Sequence, residues 1–404
     1  MTSDGGRAAA PVRHAVLRDR STWITYVQVG LFGYFLYSFG PSIALLRDES
    51  GTSRAVASLH GTAMAVGSVA VGLAAPYVVR GIGRGRMMRT GSLLVAVGLA
   101  LYVAGGGVLA LTLLGILVAS VGGTLALVGA NAFMPDHQDR GPATPQAMSE
   151  MHAFGAVMGL LGPLAVGLAV GLAWGWRPAV VAGGVAFLVL EVVRGRRVHE
   201  FDGRFGEEGE EHPRNAPFSR TFWIALVVFT CSAGLEFSLT FWGSDLVRER
   251  AGLGDAAAAA AIATIVGGLA IGRVVGSQVV ARFDSETVLS NSFALSVVGF
   301  AIAWVSTVPA IMLGGLLVTG LGMGLQSPLG IGRAVRAAGA QVDRAAGLTS
   351  VAAGAASGVA PFVLGALADA VGVHTAFLIV PVLGITGAVL VRLARVDFAE
   401  PTTP

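Results

Sequence analysis

The chain has 404 residues, 54% of them hydrophobic and only 13% charged, with a formal net charge of +3 and a mean hydropathy of +0.73. An average soluble protein is about 25% charged, so this composition excludes a soluble enzyme or nucleic-acid-binding domain, which would need polar surface the chain cannot supply. Apolar segments of about 20 residues recur instead, the length that crosses a hydrocarbon core of ~30 Å as a helix. Strand-like alternation is missing, so each span must satisfy its backbone polar groups within itself. These observations predict an all-α integral membrane protein.

In chain order, the first twenty residues carry Arg7, Arg13, Arg18 and Arg20 and lead into a long apolar span without a small-residue cleavage site. The first span is therefore expected to stay in the membrane rather than be removed as a signal peptide. Twelve transmembrane helices are predicted near 22–46, 55–79, 88–105, 107–134, 147–173, 177–194, 220–246, 256–281, 286–306, 308–331, 345–370 and 375–394. An even number of spans puts both termini on one side. That side then carries Arg80, Arg84, Arg86, Arg89, Arg140, Arg282, Arg333, Arg336, Arg344, Arg392 and Arg395, whereas the other side keeps Arg47, Arg54, Arg177, Arg248 and Arg250. Arginine excess marks the cytoplasmic side, which predicts a multi-pass protein of the cell membrane with both termini cytoplasmic. Basic residues are all Arg, a coding bias that suggests a bacterial source. The single cysteine, Cys231, permits no intrachain disulfide.

Near the middle, Arg194 to Arg220 reads RGRRVHEFDGRFGEEGEEHPRNAPFSR. Its charge density and its Pro213 and Pro217 mark a solvated connector. The predicted organisation is a cytoplasmic tail (1–21), a six-helix bundle (22–194), a cytoplasmic linker (195–219), a second six-helix bundle (220–394) and a tail (395–404). The bundles match at an offset near two hundred residues. Thr22-Trp23-Ile24 corresponds to Phe222-Trp223-Ile224, and Leu46-Arg47 with Gly51 to Val247-Arg248 with Gly252. Gly155, Gly159, Pro163 and Gly167 recur as Gly354, Gly358, Pro361 and Gly365. Two pseudo-symmetric halves of this kind form a common transporter design, with the solute site between them.

After the second span the chain reads Arg80-Gly81-Ile82-Gly83-Arg84-Gly85-Arg86, followed by Arg89. With twelve spans, the repeat and the long connector, this loop resembles the major facilitator superfamily, whose loop reads Gly-x-x-x-Asp-Arg-x-Gly-Arg-Arg. The resemblance covers the whole chain and implies that Gly83, Arg84 and Arg86 belong to a conformational loop. Pro76 stands in place of the family glycine and Arg80 in place of its aspartate, so the ion pair of that aspartate cannot form from position 80. Gly162-Pro163 resembles part of the fifth-span motif of the family's drug/proton antiporters; Pro361 at the matching point of span eleven makes a helix bend in both halves the alternative reading.

Glu236 is the only acidic residue placed in the middle of a span, with Ser232, Thr240 and Gly243 on its face. A lipid-facing charge there costs at least ~2.5 kcal/mol, so the side chain should face the bundle interior or a wet cavity. It is the candidate proton-coupling group; a hydrogen-bonded packing role is the alternative. In the resembling family the first helix of each three-helix unit lines the cavity. That makes Gln28, Tyr34 and Tyr37 on span one, Thr124 and Asn131 on span four, Ser232 and Thr240 on span seven, and Thr319 and Gln326 on span ten candidate cavity residues. Aromatic walls with a few hydrogen-bonding groups are the usual make-up of such a pocket. Arg273 is either a snorkelling arginine or a functional group, an anion contact or a possible counter-ion for a carboxylate, placed about 10 Å deeper toward the cytoplasm than Glu236 at ~1.5 Å per residue. His60 and the Glu150/His152 pair are alternative titrating groups. Small-xxx-small faces at Gly155/Gly159, Gly268/Gly272/Gly276 and Gly354/Gly358 should allow close helix approach, and in the resembling family their spans line the contact between halves.

No phosphate loop, ATPase motif or metal-ligand cluster is present in the sequence, and Gly-Ile-Gly-Arg-Gly lacks the strand a dinucleotide fingerprint needs. Neither cofactor nor metal is expected, and no enzymatic activity. The reading is a secondary active transporter moving a small organic solute by alternating access, proton-coupled, with export preferred. The alternatives are an uptake symporter for a polar metabolite and a non-transporting membrane sensor. Its expected partners are the lipid bilayer, the solute and protons, with no nucleic acid, and the chain is expected to act as a monomer.

Overall fold

The computed structural model describes residues 16–139, 143–202, 217–280, 282–339 and 341–394. The expected tails (all but 16–21 of the first), Arg140, Arg395 and most of the connector lie outside them. Among the described residues all regular structure is helical. The first half comprises α1 (Arg20–Ser50), α2 (Arg54–Ile82), α3 (Arg84–Ala104), α4 (Leu109–His137), α5 (Thr144–Gly171) and α6 (Arg177–Arg194), followed by a short turn at Val198–Phe201. The second comprises α7 (Arg220–Ala251), α8 (Asp255–Val280), α9 (Ser285–Val305), α10 (Pro309–Ala337) and α11 (Val342–Val371). It ends with α12 (Val373–Leu393), which carries a turn at Phe377 and Leu378.

Eleven of these helices are long and apolar enough to cross a membrane. The exception is α6, 18 residues long, which carries Arg177 at one end and Glu191 and Arg194 at the other. Those last two charges are turned inward: Arg194 is fully buried, whereas Val192 beside it is 81% exposed. Apolar side chains outward and charges inward is the reverse of a soluble surface, and it suits a helix whose outer face meets lipid.

The two halves repeat one packing scheme. α1 against α5, α2 against α4, α3 against α4 and α3 against α6 recur as α7 against α11, α8 against α10, α9 against α10 and α9 against α12. Glycine makes the closest of these crossings possible. A Cβ on Gly98 would lie 2.5 Å from the Gly115 carbonyl oxygen, and one on Gly299 2.8 Å from the Gly315 carbonyl oxygen. Lipid is as apolar as leucine, so helices in it are held by such backbone proximity rather than by hydrophobic burial. The turns repeat as well: α1 and α7 end on Gly51 and Gly252, both left-handed at φ 60° and 65°. Only glycine takes that conformation without a steric cost.

α1 and α7 run side by side in the same direction, and the halves meet along α1–α7, α2–α11 and α5–α8. The start of α1, the end of α6, the start of α7 and the end of α10 share one end of the molecule, the terminal face: Arg20 donates to the Val193 carbonyl at 2.6 Å, and Ser219 to the Ala337 carbonyl at 3.3 Å. The opposite end is the distal face.

Candidate functional site

The glycine stripes divide the work differently from the expectation. Gly155 and Gly159 of α5 pack on Val29, Gly33 and Tyr37 of α1, and Gly268, Gly272 and Gly276 of α8 pack on Leu317, Leu321 and Leu325 of α10, each within its own half. Only Gly354 and Gly358 of α11 meet the other half, at Val69, Ala65 and Thr62 of α2. The α5–α8 contact uses Gly167 against Ala256 and Ala260, and Gly267 against Leu160. These inter-half contacts run from the distal end, at Gly167, to about mid-depth, at Gly267, Gly354 and Gly358. Nearer the terminal face α5 and α8 diverge, and a cavity of about 530 Å³ fills the wedge between α5, α8 and α10.

The distal closure is held by charge. Arg47 of α1 pairs with Asp245 of α7, while Arg248 of α7 pairs with Asp48 of α1 at 2.6 Å. Each half thus extends an arginine to an aspartate of the other. Asp245 is buried and also takes Arg54 at 2.9 Å and Arg248 at 3.2 Å. Asp369 of α11 accepts the Arg54 and Ala55 backbone N–H groups at 3.1 and 2.8 Å, placing a carboxylate on the positive end of α2. Beneath this layer the Pro361 carbonyl accepts from Ser58 of α2 and the indole of Trp242, both at 3.1 Å.

At mid-depth one bond joins the halves. The Tyr37 hydroxyl donates to Glu236 Oε1 at 2.8 Å, and both residues are buried. Gly159 creates the room for it, since a Cβ there would sit 2.6 Å from the Tyr37 ring. Gly40 brings α1 against the Thr240 backbone one turn away, so the two side chains face each other. Arg273 reaches the same phenol from α8, within electrostatic range of Tyr37 and also of His152 on α5. Arg273 and His152 line the cavity together with Ser149 of α5 and Ser327 of α10. Among the described residues Arg273 makes no ion pair with a carboxylate. The separation expected between Glu236 and Arg273 is bridged by Tyr37.

The other candidates are held elsewhere. Gln28 donates to the Ala126 carbonyl at 3.3 Å and accepts from Arg194, inside the first half. Tyr34 donates to the Ala179 carbonyl at 2.7 Å, fastening α1 to α6. Thr124 donates to Ser68 at 3.1 Å, and Asn131 has a buried amide oxygen without a hydrogen-bond partner. Ser232 is buried on α7, and Thr240 donates back to the Glu236 carbonyl at 2.9 Å. Thr319 donates to the Gly315 carbonyl at 2.8 Å, and Gln326 donates to Ser296 at 2.9 Å. His60 contacts Thr112 at 2.8 Å within the first half, and Glu150 pairs with Arg18 at 2.7 Å on the terminal face.

In the loop, Gly83 forms the turn at φ +81°, Arg84 pairs with Asp136 of α4 at 2.8 Å and Arg86 is exposed. The second half carries the same link with its charges exchanged, Glu286 of α9 to Arg333 of α10 at 3.1 Å. A carboxylate does reach this turn, from Asp202 after α6, accepting the Gly85 N–H at 2.9 Å. The distal aspartates were missed in the sequence. Their one signal was the matched Leu46-Arg47 and Val247-Arg248, which mark the same point of the repeat in both halves.

The sequence matches the Major Facilitator Superfamily profile over residues 25–290 and 268–404. No curated protein sequence matches it. Among solved structures it resembles the nucleoside transporter NupG, in a mutant form, with a TM-score of 0.73, 12% identity and coverage of 93% of this chain and 98% of that one. It also resembles a mutant of the E. coli fucose:proton symporter FucP, with a TM-score of 0.61, 16% identity and coverage of 94% and 100%. A bacterial homolog of the human lysosomal transporter Spinster gives a TM-score of 0.65 at 14% identity, covering 93% and 96%. At such identities the likeness is one of fold. With the profile spanning both halves, the chain belongs to the major facilitator superfamily, a multi-pass membrane protein that is a secondary transporter and not an enzyme.

Proposed function

We propose that this transporter couples a small organic solute to protons by alternating access in the cytoplasmic membrane, with both termini and the 195–219 linker on the cytoplasmic side and Glu236 as the proton carrier. The observation that carries the reading is the buried Glu236 carboxylate, bonded across the halves to Tyr37 at 2.8 Å at mid-depth, with Arg273 of the cavity wall within electrostatic range of the same phenol. Unpaired charge in a dry interior is costly. A carboxylate at such a point can take a proton from one side, cross the occluded state neutral, and release it to the other.

Two directions are open to this cycle. Export is the direction suggested by Gly162-Pro163 of α5. Uptake by symport is favoured by Arg273, a cation on the cavity wall that suits a solute of opposite charge. The resemblance in fold to a fucose:proton symporter provides a precedent for proton coupling in this architecture.

Glu236→Gln keeps the shape of the side chain and mimics its protonated form. Concentrative transport driven by a pH gradient in proteoliposomes should be lost, while counterflow at equal pH continues; Glu236→Asp should retain part of the coupling. Gradient-driven accumulation by Glu236→Gln with wild-type pH dependence would remove Glu236 from the proton path. Absence of counterflow in the wild type across a broad solute panel would favour the sensor reading.

A further inference from the structure

Among the described residues, the wedge-shaped cavity has one arginine and no carboxylate on its walls. Arg273 enters it half-buried from α8; Ser149 and His152 contribute polar atoms from α5 and Ser327 from α10, and Val274, Leu325 and Leu329 supply apolar wall. An arginine at this depth is costly in lipid, and among the described residues no carboxylate is within ion-pair distance of it. The groups facing it are the Tyr37 phenol from α1 and His152 from α5, with Glu236 of α7 beyond the phenol.

We propose that this cavity binds a small amphipathic monocarboxylate, its carboxylate on the Arg273 guanidinium and its apolar body against α8 and α10. The planar guanidinium fork matches a carboxylate in a paired geometry. A single unpaired arginine calls for one negative charge rather than two. Ser149 and His152 belong to one half and Arg273 and Ser327 to the other, so a bound carboxylate touches both halves at once. The inference rests on the transport reading above and deepens it. Charge balance then fixes how the loads combine. A carboxylate that enters with a proton adds no net charge to the interior, whereas one that enters alone leaves the occluded state charged, which is costly there. Proton and carboxylate therefore bind together and travel in the same direction.

The experiment uses the purified full chain in detergent and two matched sets of probes: benzoate, benzamide and benzylamine, and hexanoate, hexanamide and hexylamine. Thermal unfolding should rise with a carboxylate and not with its amide or amine. In Arg273→Gln the carboxylate should bind at least roughly tenfold more weakly, the loss of about 1.4 kcal/mol or more, and Arg273→Lys should recover part of it. In weakly buffered solution the carboxylate should draw a proton from the medium with wild type and none with Glu236→Gln. Stabilisation by amides or amines equal to that by carboxylates, no carboxylate stabilising the wild type, or undiminished binding by Arg273→Gln would each overturn the proposal. Should neither arginine variant fold, the comparison of carboxylate with amide on the wild type decides alone. Carboxylate binding without proton uptake would leave the anion site standing and overturn Glu236 as carrier. Glu236-dependent transport of a neutral or cationic solute would do the reverse.

Discussion

Tyr37 joins the halves at mid-depth through a single hydroxyl, donating to Glu236 while lying within range of Arg273. Tyr37→Phe keeps the ring in the space left by Gly159 and removes only that bond. A hydrogen bond to a charged group contributes ~1.5–3 kcal/mol, so Tyr37→Phe should lower thermal stability by a comparable amount and reduce pH-gradient-driven transport by roughly tenfold or more. Wild-type transport by a folded Tyr37→Phe protein would show that the bond plays no part in the cycle. At this scale the sequence was legible where one residue is unusual in itself. Glu236 stood out as an acid in the middle of an apolar span. Its partner did not, because Tyr37 lies 199 residues away in the chain and meets Glu236 only once the halves associate. Gln28, Thr124, Thr319 and Gln326 teach the same lesson. Helical spacing tells which residues share a face, but not whether that face meets the cavity or a neighbouring helix of the same half.

At the scale of elements, hydropathy reported the length of each apolar stretch rather than of each helix. α1 and α7 were expected to end near 46 and 246, yet they run to Ser50 and Ala251. The extra turn carries Asp48 in α1 and Arg248 in α7 as regular helix into the distal layer, where the two pair. The small-residue stripes were legible as stripes, but their partners were not, because a glycine face states how close a neighbour can come without naming the neighbour. This difference separates two classes of substitution. In Gly358→Leu the new side chain meets Ala65 and Thr62 across the halves, with the first contact at 2.7 Å from Cβ alone. It should leave each bundle folded and disfavour the distally closed state. Spin labels at Gly107→Cys and Gly254→Cys, both open positions on distal loops of opposite halves, should move apart. Gly272→Leu instead drives into the Leu321 backbone of its own bundle and should lower thermal stability, as overpacking does by ~1–3 kcal/mol. If Gly358→Leu lowers stability equally and leaves the label distance unchanged, the α2–α11 seam is not the moving contact.

Across the whole molecule the arginines are unequally shared between the two faces. Arg47, Arg54, Arg177, Arg248 and Arg250 are distal; Arg80, Arg84, Arg86, Arg89, Arg194, Arg196, Arg197, Arg220, Arg282, Arg333, Arg336, Arg344 and Arg392 lie toward the terminal face. The retention of arginine on the cytoplasmic side predicts the labelling of single cysteines in a Cys231→Ser background. His199→Cys, at a side chain 72% exposed near the terminal face, should react with a membrane-impermeant maleimide from the cytoplasmic side only. Gly254→Cys should react from the outside only, and same-side labelling would reject the orientation. The distal arginines serve a second purpose. Asp245 is the point on which Arg47, Arg54 and Arg248 converge, and it is buried, so Asp245→Asn leaves three cations around a neutral amide. Removing one partner of a buried ion pair costs ~3–5 kcal/mol, a cost borne by the closed arrangement and relieved when the distal ends separate and water reaches the arginines. The variant should therefore populate the distally open state, seen as a longer Gly107→Cys to Gly254→Cys distance, with the carboxylate-binding cavity on the terminal side correspondingly less accessible. An unchanged distance, in a protein that unfolds at the wild-type temperature, would mean that backbone packing at Gly358 and Gly167, rather than the charge layer, sets the closed state.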